Sequence, residues 1–290
     1  MRIRATVAAV SGALALTAFA APASHAADSV SYRSEAAKIL AAHSGKTAFS
    51  TVADSTTADL GVTFSNLKIA KKVKVGAANH VSTTVTYTMT HGANYDLSSA
   101  DFDNGPFIYR GSLATPEVML GGDAPATCTA VTATTATCSG KIDIYPSDGI
   151  LLNSDAGTWS AGALALQRST GASSKQGGLG TTLLQRAATL TVNAGPEPVY
   201  KGKTVTSTGK LSRANWEDNK YHGFANQPVK LQFRKAGTTT YTTLKTVYSD
   251  SYGNVKATAT AQYDGYWRFS FAGTTTTSAV SATADYVDVK

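Results

Sequence analysis

The stretch from Gln227 to Gly273, QPVKLQFRKAGTTTYTTLKTVYSDSYGNVKATATAQYDGYWRFSFAG, constrains the fold more than any other part of the chain. Val229, Leu231 and Phe233 alternate with Lys230, Gln232 and Arg234, the period-2 pattern of a strand with one wet face. Ser251-Tyr252-Gly253-Asn254 and Asp264-Gly265 supply turn chemistry. Beyond the second turn, Trp267, Phe269 and Phe271 alternate with Arg268 and Ser270. Short strands joined by Gly, Asp and Asn turns at this spacing predict an antiparallel sandwich.

The first 26 residues read as a secretory signal peptide rather than as part of the fold. Arg2 and Arg4 form a basic start, Ala5 to Ala20 is apolar, and Ser24-His25-Ala26 offers small residues for cleavage. Ala21-Pro22-Ala23 is an earlier cleavage candidate, after Ala23. The apolar run is shorter than the roughly 20 residues a bilayer needs, and Pro22 follows at once. No cysteine follows that run to carry a lipid, and the C-terminal DYVDVK is polar. The expectation is a secreted protein, extracellular or loosely wall-associated, with no membrane contact after signal removal.

Two cysteines remain, Cys128 and Cys138, in the segment ATCTAVTATTATCSG. In an exported chain a single pair is most simply a disulfide, here closing two short strands across a turn. Such a staple constrains the unfolded chain by roughly 2–3 kcal/mol in the chain-entropy account. A redox or metal pair would want CxxC spacing or nearby histidines, and neither occurs.

Charge is unevenly placed. Residues 27–190 carry 12 basic and 12 acidic side chains, whereas residues 191–290 carry 12 basic and 7 acidic. A surplus of this size suits an ordinary solvated face. It also gives weak long-range attraction to an anionic polymer, such as a bacterial wall polymer. Nucleic acid is not expected, because no recognition motif is present.

Along the chain, Ser34 to Ala42 (SEAAKILAA) predicts one short helix with Ser34 as its cap, inside a helix-and-linker segment over 27–59. An N-terminal β-sandwich domain is expected over 60–193. Its clearest strand is VSTTVTYTMT, with Val81, Val85, Tyr87 and Met89 on one face and mostly threonine on the other. Lys71 to Lys74 reads as a basic turn, Asp101 to Gly105 as an Asp-rich turn and Ser169 to Gly180 as a flexible loop. A linker around Asn193 to Pro198 leads to a C-terminal immunoglobulin-like β-sandwich domain over 199–290, which carries a long excursion, LSRANWEDNKYHGFANQP. The fold class is therefore all-β: two immunoglobulin-like antiparallel β-sandwich domains in tandem, with one short N-terminal helix.

The C-terminal part, from VTSTGKLSRANW through DSYGNVKATA and DGYWRFSFAGT to DYVDVK, resembles bacterial immunoglobulin-like domains of proteins secreted by filamentous actinobacteria. The N-terminal half, through FSNLKIAKKVKVG, FIYRG, GDAPATCTA and IDIYPSDG, extends the resemblance to a two-part family of exported actinobacterial proteins. The resemblance spans nearly the whole chain after residue 26. It implies a fold and a compartment, and it carries over no catalytic or ligand residues.

No catalytic residues are nominated from the chemistry-bearing side chains. GTWSAG around Ser160 is not a nucleophile elbow, and His43, His80, His91 and His222 lack a partner spaced to orient them. Asp101-Phe102-Asp103-Asn104-Gly105 starts like a calcium loop but lacks the third carboxylate and the later glutamate. No metal and no cofactor are expected. The candidate ligand-binding residues are Trp216, Tyr221 and Phe224 in the loop Arg213–Asn226, where aromatics among polar neighbours could stack on sugar rings or plug the open end of the sandwich. These readings predict a secreted non-catalytic binding or structural protein of the cell wall or matrix. The alternatives are a carbohydrate-binding module using that loop, or an enzyme inhibitor or enzyme.

Overall fold

A computed structural model describes Tyr32, Ala36 and residues 58–290 of the chain. The expected signal peptide over 1–26 lies outside those residues. So does the expected helix over 34–42, apart from Ala36, which with Tyr32 has helical backbone.

In chain order the first strands are β1 (Thr63–Lys68), β2 (Lys72–Val75), β3 (Val81–Thr90), β4 (Phe102–Gly111) and β5 (Pro116–Gly121). Next come β6 (Thr127–Thr132), β7 (Thr135–Ile144), β8 (Gly157–Gln167), β9 (Ser173–Arg186), β10 (Ala188–Leu190) and β11 (Asn193–Gly195). The C-terminal part adds β12 (Thr204–Asn215), β13 (Lys220–Gly223), β14 (Pro228–Lys235), β15 (Thr242–Tyr248) and β16 (Asn254–Thr260). It closes with β17 (Gly265–Phe271), β18 (Val280–Ser281) and β19 (Asp285–Val287).

These strands fall into two units, and the division differs from a single cut between 193 and 199. Unit 1 holds 58–71, Ser82–Ile144 and Thr158–Thr182, with Tyr32 and Ala36. Unit 2 holds Leu183–Lys290 together with two runs from earlier in the chain, Lys72–Val81 and Tyr145–Gly157. Each unit is an immunoglobulin-like antiparallel sandwich.

In unit 1 one sheet runs β1-β3-β7-β6, and β4 pairs antiparallel with both β5 and β8 in the other. The β3 alternation is as the sequence predicts, with Val85, Tyr87 and Met89 buried and Ser82 and Thr84 exposed. Strand β4 is buried on both faces, which explains its lack of alternation. On one face Asn104 accepts a hydrogen bond from the Tyr87 hydroxyl, while Phe107 and Tyr109 on the other cluster with Tyr32, Ala36, Met119, Leu164 and Leu166. Gly105 is required there, because a Cβ at that position would lie 1.9 Å from the Tyr32 hydroxyl oxygen.

In unit 2 the opening stretch of the sequence forms the framework. β14 pairs with β17 in the register Val229↔Phe271, Leu231↔Phe269 and Phe233↔Trp267, so the apolar positions of both strands share one face. They pack with Val205, Leu211, Val255 and Ala257 of β12 and β16 in one core. The outer strands of this sheet are β15 on one side and β18 and β19 on the other. At about 25 cal/mol per Å² of apolar surface, a ring such as Trp267 contributes a few kcal/mol by burial alone.

Several stretches read as turns or loops are strands instead. Lys72–Val75, read as a basic turn, is β2 and pairs parallel with Leu183–Arg186. Ser173–Arg186 is strand where a flexible loop was expected from 169 to 180. Asn193–Gly195, placed in the linker, pairs with β12 as β11. The long excursion is a β-hairpin of β12 and β13, turning at Trp216 to Asn219, with Asn219 at φ 57°. In each case polar or glycine-rich residues take strand geometry because a neighbouring backbone satisfies their N–H and C=O groups, which outweighs local propensity.

Candidate functional site

The two cysteines lie directly opposite each other on β6 and β7, as the disulfide requires, and they are bonded. Asn104 places its amide nitrogen 3.2 Å from Cys128 Sγ. From Phe102 on, the adjacent Asp-rich stretch is strand rather than turn, and its carboxylates are engaged within unit 1. Asp103 is buried and pairs with Arg168 at 2.5 Å. Asp101 accepts hydrogen bonds from Ser169 Oγ at 2.7 Å and Gln167 Nε2 at 3.0 Å, which hold its carboxyl below the usual range, the Ser169 hydroxyl most of all. Of the histidines, His91 is buried with Nδ1 2.8 Å from the Gly92 carbonyl, His80 stacks on Tyr145 at 4.2 Å, and His222 donates to Asp218 at 2.6 Å. His43 lies outside the described residues.

The three aromatic residues expected to bind ligand do not form one exposed platform. Trp216 is 1% exposed, Phe224 9% and Tyr221 43%. Trp216 sits at the tip of the β12–β13 hairpin with its indole N–H donated to the Gly76 carbonyl at 3.0 Å. Asn219 donates to the Ala77 carbonyl at 2.9 Å, and Asn153 bonds both the Trp216 backbone and the Asn215 side chain. Phe224 meets Phe271 edge-on at 5.8 Å inside the core. Arg213 covers Phe224 from outside, its guanidinium 4.0 Å from the ring centroid. Burial, with the charge of Arg213 added, pulls the Arg186 guanidinium down to about 10 while it donates to the Ala214 carbonyl at 2.6 Å. Phe224 thus joins the core, while Trp216 is held by hydrogen bonds to Gly76 and Asn153 in the runs that group with it. Glycine permits the closeness, since a Cβ on Gly253 would lie 2.2 Å from the Leu211 carbonyl oxygen.

The prominent display of planar side chains is elsewhere, on the outer face of β14, β17 and β19. Arg268 lies on Tyr241 with its guanidinium carbon 3.6 Å from the ring centroid. Arg234 lies 5.4 Å from the same ring and 4.0 Å from Tyr266. Tyr266 in turn meets Tyr286 at 5.2 Å. Cross-strand register builds this row: Arg234 is opposite Tyr266, Tyr266 is opposite Tyr286, and Gln232 is opposite Arg268. Arg234 donates one hydrogen bond, to the Thr238 carbonyl at 2.5 Å, and Arg268 one, to Gln232 Oε1 at 2.9 Å. A guanidinium has five N–H donors, so most of theirs have no hydrogen-bond partner among the described residues. Beside the row, Lys235 stands 4.2 Å from the Tyr263 ring. The wet-face positions of β14 and β17 were visible in the alternation, but their meeting in one row needed the register.

A shallow groove of about 740 Å³ also opens in unit 2, lined by Thr191, Asn193, Thr208, Tyr248, Asp250 and Lys256 among others. Its lining mixes hydroxyl and amide groups with Val192 and Val255, and carries one charge of each sign, Asp250 and Lys256.

Among the described residues no helix is long and apolar enough to cross a membrane. No family model matches the chain, and no curated protein matches it. Solved structures similar to it include a marsupial T cell receptor, at 12% identity and TM-score 0.34, covering 79% of this chain and 73% of that one. A chimeric titin Z1Z2-Z1Z2 tandem functionalized with a GRGDS peptide from fibronectin is similar at 14% identity and TM-score 0.27, covering 77% and 99%. Fibronectin(III)-like modules of Clostridium thermocellum CbhA are similar at 12% identity and TM-score 0.28, covering 77% and 92%. The immunoglobulin-like fold of each unit rests on its own strand order and register.

Proposed function

We propose that this chain is an exported, non-catalytic binding or structural protein that holds to an anionic polymer of the cell wall or extracellular matrix through its C-terminal unit. The observation that carries the reading is the uncompensated charge of the last hundred residues, which make up most of that unit. Residues 191–290 hold 12 lysines and arginines against 7 aspartates and glutamates. Among the described residues, none of those lysines or arginines pairs with a carboxylate, and the ion pair in this region is His222 with Asp218. Unpaired surface cations keep their field and draw in a polyanion over roughly a Debye length, about 10 Å at 0.1 M salt. Export is supported by the basic, apolar and small-residue pattern of residues 1–26 and by the disulfide. A carbohydrate reading of the hairpin 213–226 is left with Tyr221 as its exposed ring.

The test is co-sedimentation of the exported protein with purified cell wall at low and high salt. Retention at low salt that is released at high salt is the expected result. Full recovery in the unbound fraction at low salt would remove the reading.

A further inference from the structure

Diffuse charge attracts a polymer without reading it, yet the outer sheet face of unit 2 is ordered well beyond diffuse charge. Arg268, Tyr241, Arg234, Tyr266 and Tyr286 stack in an unbroken row across three strands and the loop before β15. Arginine on a solvent face ordinarily extends into water or pairs with an acid. Here the two guanidiniums sit 3.6 and 4.0 Å from tyrosine ring centroids, half-buried, with no carboxylate partner among the described residues. Packing on the ring restrains the guanidinium while leaving most of its N–H donors unclaimed, and such a fork takes an oxyanion through two parallel hydrogen bonds. The rotamer freedom a ligand would otherwise have to quench is already lost in the unbound protein.

We propose that this row is a recognition site for an anionic polysaccharide, in which Arg268 and Arg234 hold carboxylate, phosphate or sulfate substituents and the tyrosine hydroxyls bond the sugar hydroxyls between them. The site rests on the wall-polymer reading above and gives it an address. Adjacent strands are about 4.8 Å apart, so groups on neighbouring strands recur at close to the length of one pyranose unit. Polarity sets which way the ligand extends. The Tyr286 end is acidic: burial raises its phenol, and the charges of Asp264 and then Asp288 add to this. The opposite end carries Lys230, which stands opposite Ser270 on the outer face. The anionic polymer therefore lies over Arg234 and Arg268 and continues toward Lys230. Single-stranded nucleic acid fits less well, because base stacking needs open ring faces and a guanidinium already covers a face of both Tyr241 and Tyr266.

The experiment measures binding of the exported protein to polygalacturonate, to neutral dextran and to oligothymidylate, alongside sedimentation with cell wall. Polygalacturonate binds and dextran does not. Arg268→Gln and Tyr241→Ala each weaken polygalacturonate binding about tenfold, a loss of about 1.4 kcal/mol. Arg268→Lys keeps the charge, loses the fork, and weakens it nearly as much. Lys256→Gln removes one charge from β16 in the other sheet and stays within about twofold of wild type. Unchanged unfolding midpoints confirm that each variant is folded. Equal losses in Lys256→Gln and Arg268→Gln, with wall sedimentation retained, overturn the site and leave the wall reading standing. Failure of the unmodified protein to bind either wall or polygalacturonate overturns both. Preference for oligothymidylate over polygalacturonate overturns the site in favour of nucleic acid.

Discussion

The hairpin at 213–226 and the outer face of β14 and β17 both set aromatic rings among polar and basic residues, and they use them in opposite ways. In the hairpin, Trp216 and Phe224 are buried, the first held by hydrogen bonds it donates to Gly76 and Asn153 and the second packed on Phe271. On the sheet, Tyr241 and Tyr266 lie outward under arginines. Vacancy decides between the two. The inward positions of β14 and β17 are already filled by Val229, Leu231, Trp267, Phe269 and Phe271, so the alternate residues have only the outer face. The hairpin rings find cover elsewhere, Phe224 in the core and Trp216 beside Gly76 and Asn153. Composition of a loop therefore says little about display, while strand parity says much.

The largest expected difference between the two regions is in stability. Trp216→Ala empties a buried site and strands the Gly76 carbonyl, and should cost about 3–5 kcal/mol by denaturant unfolding. Tyr241→Ala should move the midpoint little, with well under about 1 kcal/mol lost. Comparable losses at both positions would break the contrast. Next, Cys128→Ser with Cys138→Ser should lower the stability of unit 1 by about 2–3 kcal/mol, read as faster amide exchange in β6 and β7. Arg234→Gln comes third and sharpens the contrast from the other side: polygalacturonate binding falls about fivefold, roughly 1 kcal/mol, with unfolding unchanged.

The smallest effect concerns the turn that backs the hairpin. The Asn254 side-chain amide, followed by the Asn254 backbone N–H, holds the Asp250 carboxyl below its ordinary value. A carboxylate whose pKa is depressed by folding stabilises above its unfolded value, about 3.9, and loses that contribution as pH falls through the folded value. The gap in unfolding midpoint between wild type and Asp250→Asn should be full at neutral pH and close below about pH 4. A gap that persists unchanged at pH 2 would show that the carboxylate charge is not what orders the turn.

Much of the fold was legible because period-2 alternation is a local signal. Strands β3, β14 and β17 could be read residue by residue, and the burial of Trp267 followed from its strand position. The opposition of Cys128 and Cys138 followed from a short hairpin. Strand β2 was not legible, since KVKV is bounded by lysines and glycine and its partner lies more than a hundred residues later, at Leu183–Arg186. Strand β4 was obscured because burial on both faces erases alternation. The cover of Trp216 was not legible, since Gly76 and Asn153, which bond it, are far from it in sequence.

By itself the sequence determined what each residue could see of its own strand: the parity of Val229 to Phe233 and of Trp267 to Phe271, the turn glycines, and the basic surplus of the last hundred residues. Those properties depend on backbone geometry and on counting charges. Tertiary structure alone decided that Arg234 stands opposite Tyr266, that Arg268 reaches Tyr241, and that Trp216 is enclosed by a run from residues 72–81. These are long-range pairings, set when whole sheets bury their apolar faces together, and a one-residue slip in register would turn the tyrosines and arginines of the row inward.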